Sequence, residues 1–162
     1  MNSYVAELVQ RYRRKGVLLD TNLLRLYCVG LSMPDQISRF KRTVMFTEDD
    51  FAVLTETLDR FEKIITTPAI LAEVSNLAGQ LAEHLKPTFF DRFAMQITRL
   101  VEIYTPSVEL AALPQFKRFG LADTGILGLA KNNYLVITQD FRLSQYLQNA
   151  AIDVLNFNHI RM

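Results

Sequence analysis

The stretch Val17-Leu18-Leu19-Asp20-Thr21-Asn22 predicts the fold of this chain. Its first three residues form a continuous apolar run, which is typical of a strand covered on both faces in a parallel sheet. Asp20 ends that run. In parallel α/β sheets the ligand crevice lies beyond the carboxyl ends of the strands, so a carboxylate at this position indicates a functional site.

The rest of the chain repeats this alternation of strand and helix. A further helix begins at Thr67-Pro68, where a capping residue precedes a proline at the first helical position. Such alternation predicts an α/β fold with three layers, α/β/α, and a mostly parallel central sheet. The other strands are predicted at residues 63–66, 102–104, 134–138 and 152–155, and the other helices at residues 5–15, 87–100, 108–119, 123–131 and 141–150.

Length and composition predict a single domain over residues 1–162. Of the 162 residues, 49% are hydrophobic, which is enough to enclose one sheet between helices. Residues 33–62 carry the weakest pattern of the chain and are interpreted as an insertion in this domain. No stretch rich in proline or glycine divides the sequence into two parts.

Charge and cysteine content exclude several classes of protein. The formal net charge of +1 lacks the basic excess of proteins that bind nucleic acid mainly through phosphates, so any such contact is expected to be local. No apolar run reaches the roughly 20 residues of a membrane span, which predicts a cytoplasmic protein without membrane association. The single cysteine, Cys28, excludes an internal disulfide and is expected to be a buried core thiol.

Three further carboxylates accompany Asp20. Asp140 follows a late predicted strand, Glu73 lies in the helix after Thr67-Pro68, and Asp123 begins another predicted helix. Glu73 and Asp123 border apolar residues, where a carboxylate is costly unless it is paired, hydrogen-bonded or bound to a cation. Carboxylates repel one another at short range, and Mg²⁺ or Mn²⁺ would relieve this because both ions prefer oxygen ligands. Such a cluster is typical of nucleases, which activate water for attack on a phosphodiester.

Each acid also has a structural interpretation. Asp20 and Asp140 could cap the helices that follow them, because an aspartate side chain accepts hydrogen bonds from free backbone N–H groups. Glu73 could be a solvated helix residue, and Asp123 could be a simple helix cap. Capping and metal binding are compatible roles for one carboxylate.

Four segments of the chain resemble the motifs of the PIN-domain family, in particular the toxin ribonucleases of VapC-type toxin–antitoxin pairs. Residues 18–22 look like the opening strand with the first acid, and residues 67–74 like the motif with a helical glutamate. Residues 120–127 and 136–140 look like the third motif and the final Thr-x-Asp element. No single motif is specific, but all four occur in the expected order.

The resemblance implies a metal-dependent endoribonuclease that hydrolyses RNA phosphodiester bonds with Mg²⁺ or Mn²⁺. Its catalytic and metal-binding residues would be Asp20, Glu73, Asp123 and Asp140. The resemblance further implies a homodimer and an antitoxin protein as partners. Two residues are expected to orient the site and three to contact RNA: Asn22 and Thr138 in the first group, and Lys117, Arg118 and Arg142 in the second.

Other families with an aspartate after the first strand fit less well. Phosphatases of the haloacid dehalogenase type require a second aspartate two positions later, where this chain has Asn22. Response-regulator receivers require an acidic pair at the first strand and a lysine after a late strand, and neither is evident. A non-catalytic PIN-like module that binds RNA or protein remains the alternative, with the four acids in a structural role.

Overall fold

The computed structural model describes residues 3–131 and 133–161, except for the side chain of residue 78. In this part of the chain the strands are β1 (Val17–Leu19), β2 (Ile64–Thr66), β3 (Val101–Glu102), β4 (Leu135–Thr138) and β5 (Val154–Asn156). The α-helices are α1 (Ser3–Tyr12), α2 (Thr21–Ser32), α3 (Glu48–Leu58), α4 (Pro68–Ser75), α5 (Lys86–Ile97), α6 (Ser107–Ala111), α7 (Phe116–Ala130) and α8 (Phe141–Asn149). Strands and helices alternate as the sequence predicts.

The five strands form one sheet in the order β3-β2-β1-β4-β5. Every neighbouring pair is parallel, and Leu19 of β1 lies opposite Ile137 of β4. The chain runs from β1 outward through β2 to β3, and then places β4 and β5 on the other side of β1. The strand order therefore reverses beside β1, which creates a crevice at the carboxyl ends of β1 and β4.

Helices cover both faces of the sheet, which gives the predicted three-layer α/β/α fold. The apolar run at residues 17–19 is almost completely buried, as expected for a central strand of a parallel sheet. On one side α2 packs against α3, α4 and α5, while α7 and α8 pack against β4. Cys28 lies buried in α2, and burial raises the pKa of its thiol to about 12, so the prediction of a core thiol is confirmed.

Residues 33–62 fold onto α2 and contribute to the core of this domain. Phe46 and Leu54 are fully buried, and the ring of Phe46 makes an edge-to-face contact with Phe157, with centroids 6.3 Å apart. A capping box begins α3: the Asp50 N–H donates to the Thr47 hydroxyl, and the Thr47 N–H donates to the Asp50 carboxylate. Buried side chains of this segment are therefore part of the hydrophobic core of the domain.

The prediction of one continuous helix over residues 108–119 is wrong. The chain forms the short helix α6 and then starts α7 at Phe116, because Pro114 has no N–H to donate and disfavours helical backbone at the residue before it. The predicted break at Gly120 is confirmed as a kink within α7, where the glycine has φ 73°. The second half of α7 therefore begins just before Asp123.

The predicted start of α4 is confirmed in detail. The N–H of Ile70 donates to the hydroxyl of Thr67 at 3.3 Å, and Pro68 occupies the first helical position. Other boundaries shift by a few residues: α1 ends earlier than predicted, β3 is shorter and β5 starts later. No helix within the described ranges has the length and apolar character to cross a bilayer.

The contact between α2 and α3 leads to a stability prediction. A Cβ atom on Gly30 would lie 2.2 Å from the ring of Phe51, whereas a Cβ on Gly128 in α7 would meet nothing within 4 Å. We expect Gly30→Ala to lower the free energy of unfolding by about 1–3 kcal/mol through overpacking. The control Gly128→Ala should raise it by up to about 1 kcal/mol, since alanine favours helix. Urea unfolding measures both, and equal stabilities of the two variants would contradict this packing.

Candidate active site

One cleft at the carboxyl edge of the sheet collects the four acids that the sequence singles out. Its volume is about 240 Å³, and it lies where the strand order reverses beside β1. The four carboxylates come from segments far apart in the sequence: the ends of β1 and β4, the helix α4 and the kinked helix α7. The lining residues are Asp20, Thr21, Asn22, Arg25, Glu73, Phe119, Gly120, Leu121, Ala122, Asp123 and Asp140.

Asp20 is the most buried of these acids, with 4% of its surface exposed. Its Oδ1 accepts a hydrogen bond from the Leu23 N–H at 2.8 Å, and its Oδ2 accepts from the Thr138 hydroxyl and from the Gln139 N–H at 3.1 Å. Burial raises the pKa of this carboxyl, while these three donors act in the opposite direction by stabilising the ionised form. Asp20 thus caps α2 and at the same time links the ends of β1 and β4.

Thr138 connects Asp20 to Asp140. The hydroxyl that donates to Asp20 accepts a hydrogen bond from the Asp140 N–H at 2.9 Å. The Oδ1 atom of Asp140 then accepts from the N–H groups of Arg142 and Leu143, at 2.7 and 3.0 Å, and so caps α8. The capping interpretation of Asp140 is therefore confirmed, and since both bonds use Oδ1, it leaves Oδ2 for another ligand.

Asp123 is the acid most affected by its neighbours. It lies in α7 after the Gly120 kink and is partly buried. Burial, followed by the charges of Asp20, Asp140 and Glu73, raises the pKa of its carboxyl to about 7. Part of the free-energy cost of ionising Asp123 is electrostatic repulsion from the other acids. A positive charge in the cleft would reduce this repulsion.

Glu73 is an exposed acid of the cleft. It lies beside the apolar face of α4, as expected, but 48% of its side chain is exposed while Ile70 and Val74 are buried, which agrees with the interpretation of a solvated helix residue. Its carboxylate stands 3.8 Å from the guanidinium of Arg25. Glu73 therefore lies at the rim of the cleft.

Arg25 is a residue of the cleft that the sequence analysis missed. Its guanidinium donates to the Asn22 side-chain oxygen at 3.1 Å and to the Glu73 backbone carbonyl at 3.2 Å, so it joins α2 to α4. Burial lowers the pKa of this guanidinium, and the charge of Glu73 opposes that effect. The spacing of three residues between Asn22 and Arg25 on one helix was the signal that could have revealed the pair.

The basic residues predicted to contact RNA lie outside the lining of this cleft. The Arg118 guanidinium stacks over the rings of Phe119 and Tyr146, at 5.0 and 5.7 Å from their centroids. Lys117 and Arg142 are exposed. Among the lining residues in the described part of the chain, Arg25 supplies the positive charge.

The donor set of the cleft fits a hydrated divalent cation better than a closed metal cage. Within residues 3–131 and 133–161, no three carboxylate, histidine or cysteine side chains come close enough together to hold one ion directly. Mg²⁺ needs fewer direct ligands, because it keeps several waters and binds through one or two carboxylates plus substrate phosphates. Two buried polar atoms at the cleft, Thr21 Oγ1 and Arg25 Nε, also have no hydrogen-bond partner among the described residues.

The raised pKa of Asp123 predicts a pH-dependent stability. The folded protein holds this proton more tightly than the unfolded chain, so its contribution to stability is complete below about pH 4 and is lost as the pH rises through about 7. In a chelating buffer Asp123→Asn should match the wild type at pH 4. At pH 8 it should be more stable by about 1–2 kcal/mol, a value reduced for partial exposure.

Urea unfolding at both pH values tests this expectation. Added Mg²⁺ or Mn²⁺ should narrow the gap at pH 8, because a cation that binds the folded wild type stabilises it. If the wild type and Asp123→Asn have equal free energies of unfolding at pH 8 without metal, the charge of Asp123 does not destabilise the folded protein.

Comparisons with protein-family models, with curated proteins and with solved structures find no match for this chain.

Proposed function

We propose that this chain is a divalent-metal-dependent endoribonuclease of the PIN-domain type. The observation that carries the proposal is the convergence of Asp20, Glu73, Asp123 and Asp140 on one cleft, where burial and then the charges of the other three acids raise the pKa of Asp123. A fold that gathers mutually repelling carboxylates at the switch point of a parallel sheet stores electrostatic strain. Such strain is typical of a site built for a cation or for chemistry.

Asp20, Asp123 and Asp140 are the residues that would hold the metal, one or two of them directly and the others through its waters, with Glu73 at the rim. When bound, the cation would lower the pKa of its coordinated water and place positive charge next to the phosphodiester. The protein residues orient the site: Thr138 fixes Asp20 against Asp140, and Arg25 fixes Asn22 against Glu73. Without metal, burial and the neighbouring acids raise the pKa of Asp123 to about 7, and a cation in the cleft would favour the ionised carboxylate that binds it.

A non-catalytic PIN-like module is the second candidate, and one observation favours it. No three ligand groups in the described part of the chain are close enough to bind a single ion directly. In such a module the acids would serve only as helix caps and ion-pair partners, roles that the structure shows for Asp20, Asp140 and Glu73. The homodimer, the antitoxin partner and the cytoplasmic location remain predictions from the sequence.

Calorimetric titration of Mn²⁺ into the metal-free protein, together with cleavage of a labelled single-stranded RNA, separates the two functions. We expect the wild type to bind Mn²⁺ and cut RNA, and Asp123→Asn to fold, bind Mn²⁺ more weakly and lose about 100-fold or more of its cleavage rate. Asp91→Asn is the matched control, because Asp91 is an exposed aspartate of α5 outside the cleft.

Either of two results would contradict the proposed nuclease function. The first is a folded wild type that neither binds Mn²⁺ nor cuts RNA. The second is an Asp123→Asn protein with wild-type cleavage. The first result would instead favour the non-catalytic module.

Arg25 leads to a separate prediction for the same assays. Arg25→Gln removes the positive charge that partly neutralises the acids, so Mn²⁺ affinity should rise several-fold. Cleavage should nevertheless slow, because Asn22 and Glu73 lose the donor that holds both. Arg92→Gln on the exposed face of α5 is the control. Unchanged Mn²⁺ affinity in Arg25→Gln would show that the Arg25 guanidinium has no electrostatic effect on metal binding by the acids.

A further inference from the structure

A second pocket adjoins the acid cleft and differs from it in chemistry. Its volume is about 250 Å³, and Leu121 lines both the pocket and the cleft. Tyr104, Thr105 and Ser107 line it together with the apolar residue Leu110. No charged side chain is among its lining residues in the described part of the chain. The two sites are thus neighbours, one acidic and one neutral.

The pocket lies along the same edge of the sheet as the cleft. Tyr104 and Thr105 follow β3, and Pro68 begins α4 directly after β2, so the pocket is built at the carboxyl ends of these two strands. The Ile103 N–H donates to the Thr66 carbonyl at 3.0 Å and holds the chain just before Tyr104. A polymer bound across this edge would contact the cleft and the pocket together.

Tyr104 is the notable side chain of the pocket. It is 72% exposed, although a large aromatic ring gains free energy from burial. Exposed aromatic rings of this kind serve as stacking platforms for bases in proteins that bind single-stranded nucleic acid. Thr105 and Ser107 are polar residues of the lining, which suits the polar edge of a base.

We propose that this pocket binds one unpaired nucleobase of the RNA whose backbone enters the acid cleft. The proposal rests on the function proposed above and assigns Tyr104 and its pocket as a contact for one base beside the acid cleft. A neutral lining suits a base and not a phosphate, and the volume is below that of sites for drug-sized ligands, about 300 Å³ and above. A base within a duplex has both faces stacked, so only an unpaired base can enter.

Fluorescence anisotropy with short labelled oligoribonucleotides tests the proposal. The measurements use the Asp123→Asn protein as background, since this variant is expected not to cut the probe. Adding Tyr104→Ala should weaken binding of the single-stranded oligomer about tenfold, from the loss of one stacked base. The same substitution should leave the affinity for an abasic oligomer of equal length unchanged. Tyr104→Phe keeps the ring and should lose less affinity than the alanine variant.

Tyr4→Ala is the matched control, because Tyr4 is an exposed tyrosine of α1 that does not line the pocket. The proposal would be overturned by no effect of Tyr104→Ala, or by an equal loss of affinity for base-containing and abasic oligomers. Tighter binding of duplex than of single-stranded RNA would overturn it as well. A change in oligomeric state by sedimentation in Tyr104→Ala alone would assign the pocket to a second copy of the chain and reject the base.

The outcome is separable from the fate of the proposed function. If the wild type cuts RNA and Tyr104→Ala binds RNA with unchanged affinity, the base pocket is rejected and the proposed nuclease function is retained. No binding and no cleavage of any RNA would reject both proposals.

Discussion

The buried carboxylate of Asp20 is the interaction on which the crevice and its site depend. One oxygen accepts from the Leu23 N–H and begins α2, and the other accepts from Thr138 and Gln139 at the end of β4. A single side chain therefore joins two adjacent strand ends and a helix start. Its burial would be costly without these donors, so the local structure and the position of the acid support each other.

Charge is the second constraint on this molecule. The sheet brings four carboxylates to one edge because β1 and β4 are neighbours and because α4 and α7 approach the same edge. Together with burial, which is the larger cause, the resulting repulsion raises the pKa of Asp123, and the ion pair of Arg25 with Glu73 offsets part of the repulsion. A fold under selection for stability alone would have little reason to keep this arrangement. Proteins most often keep such strain at functional sites.

Some features of the site were readable in the sequence because they depend on adjacent residues. The apolar run before Asp20, the cap at Thr67 and the break at Gly120 each follow from side chains within a few positions. Prediction from the sequence was incomplete where a local helix pattern contained a helix-breaking residue, or where exposure depended on tertiary packing. Pro114 divided one predicted helix, and the sequence left open whether Glu73 is solvated, which depends on how α4 turns its apolar side toward the core.

By itself the sequence determined the alternation of strands and helices, the caps and the type of residue at each strand end, because these depend on neighbours along the chain. Only the tertiary structure decided the strand order β3-β2-β1-β4-β5, the meeting of the acids in one cleft, the contact of Arg25 with Asn22 and Glu73, and the neutral pocket beside them. Strand order follows from how the helices pack on both faces of the sheet, and that packing is set by many weak contacts between residues distant in sequence.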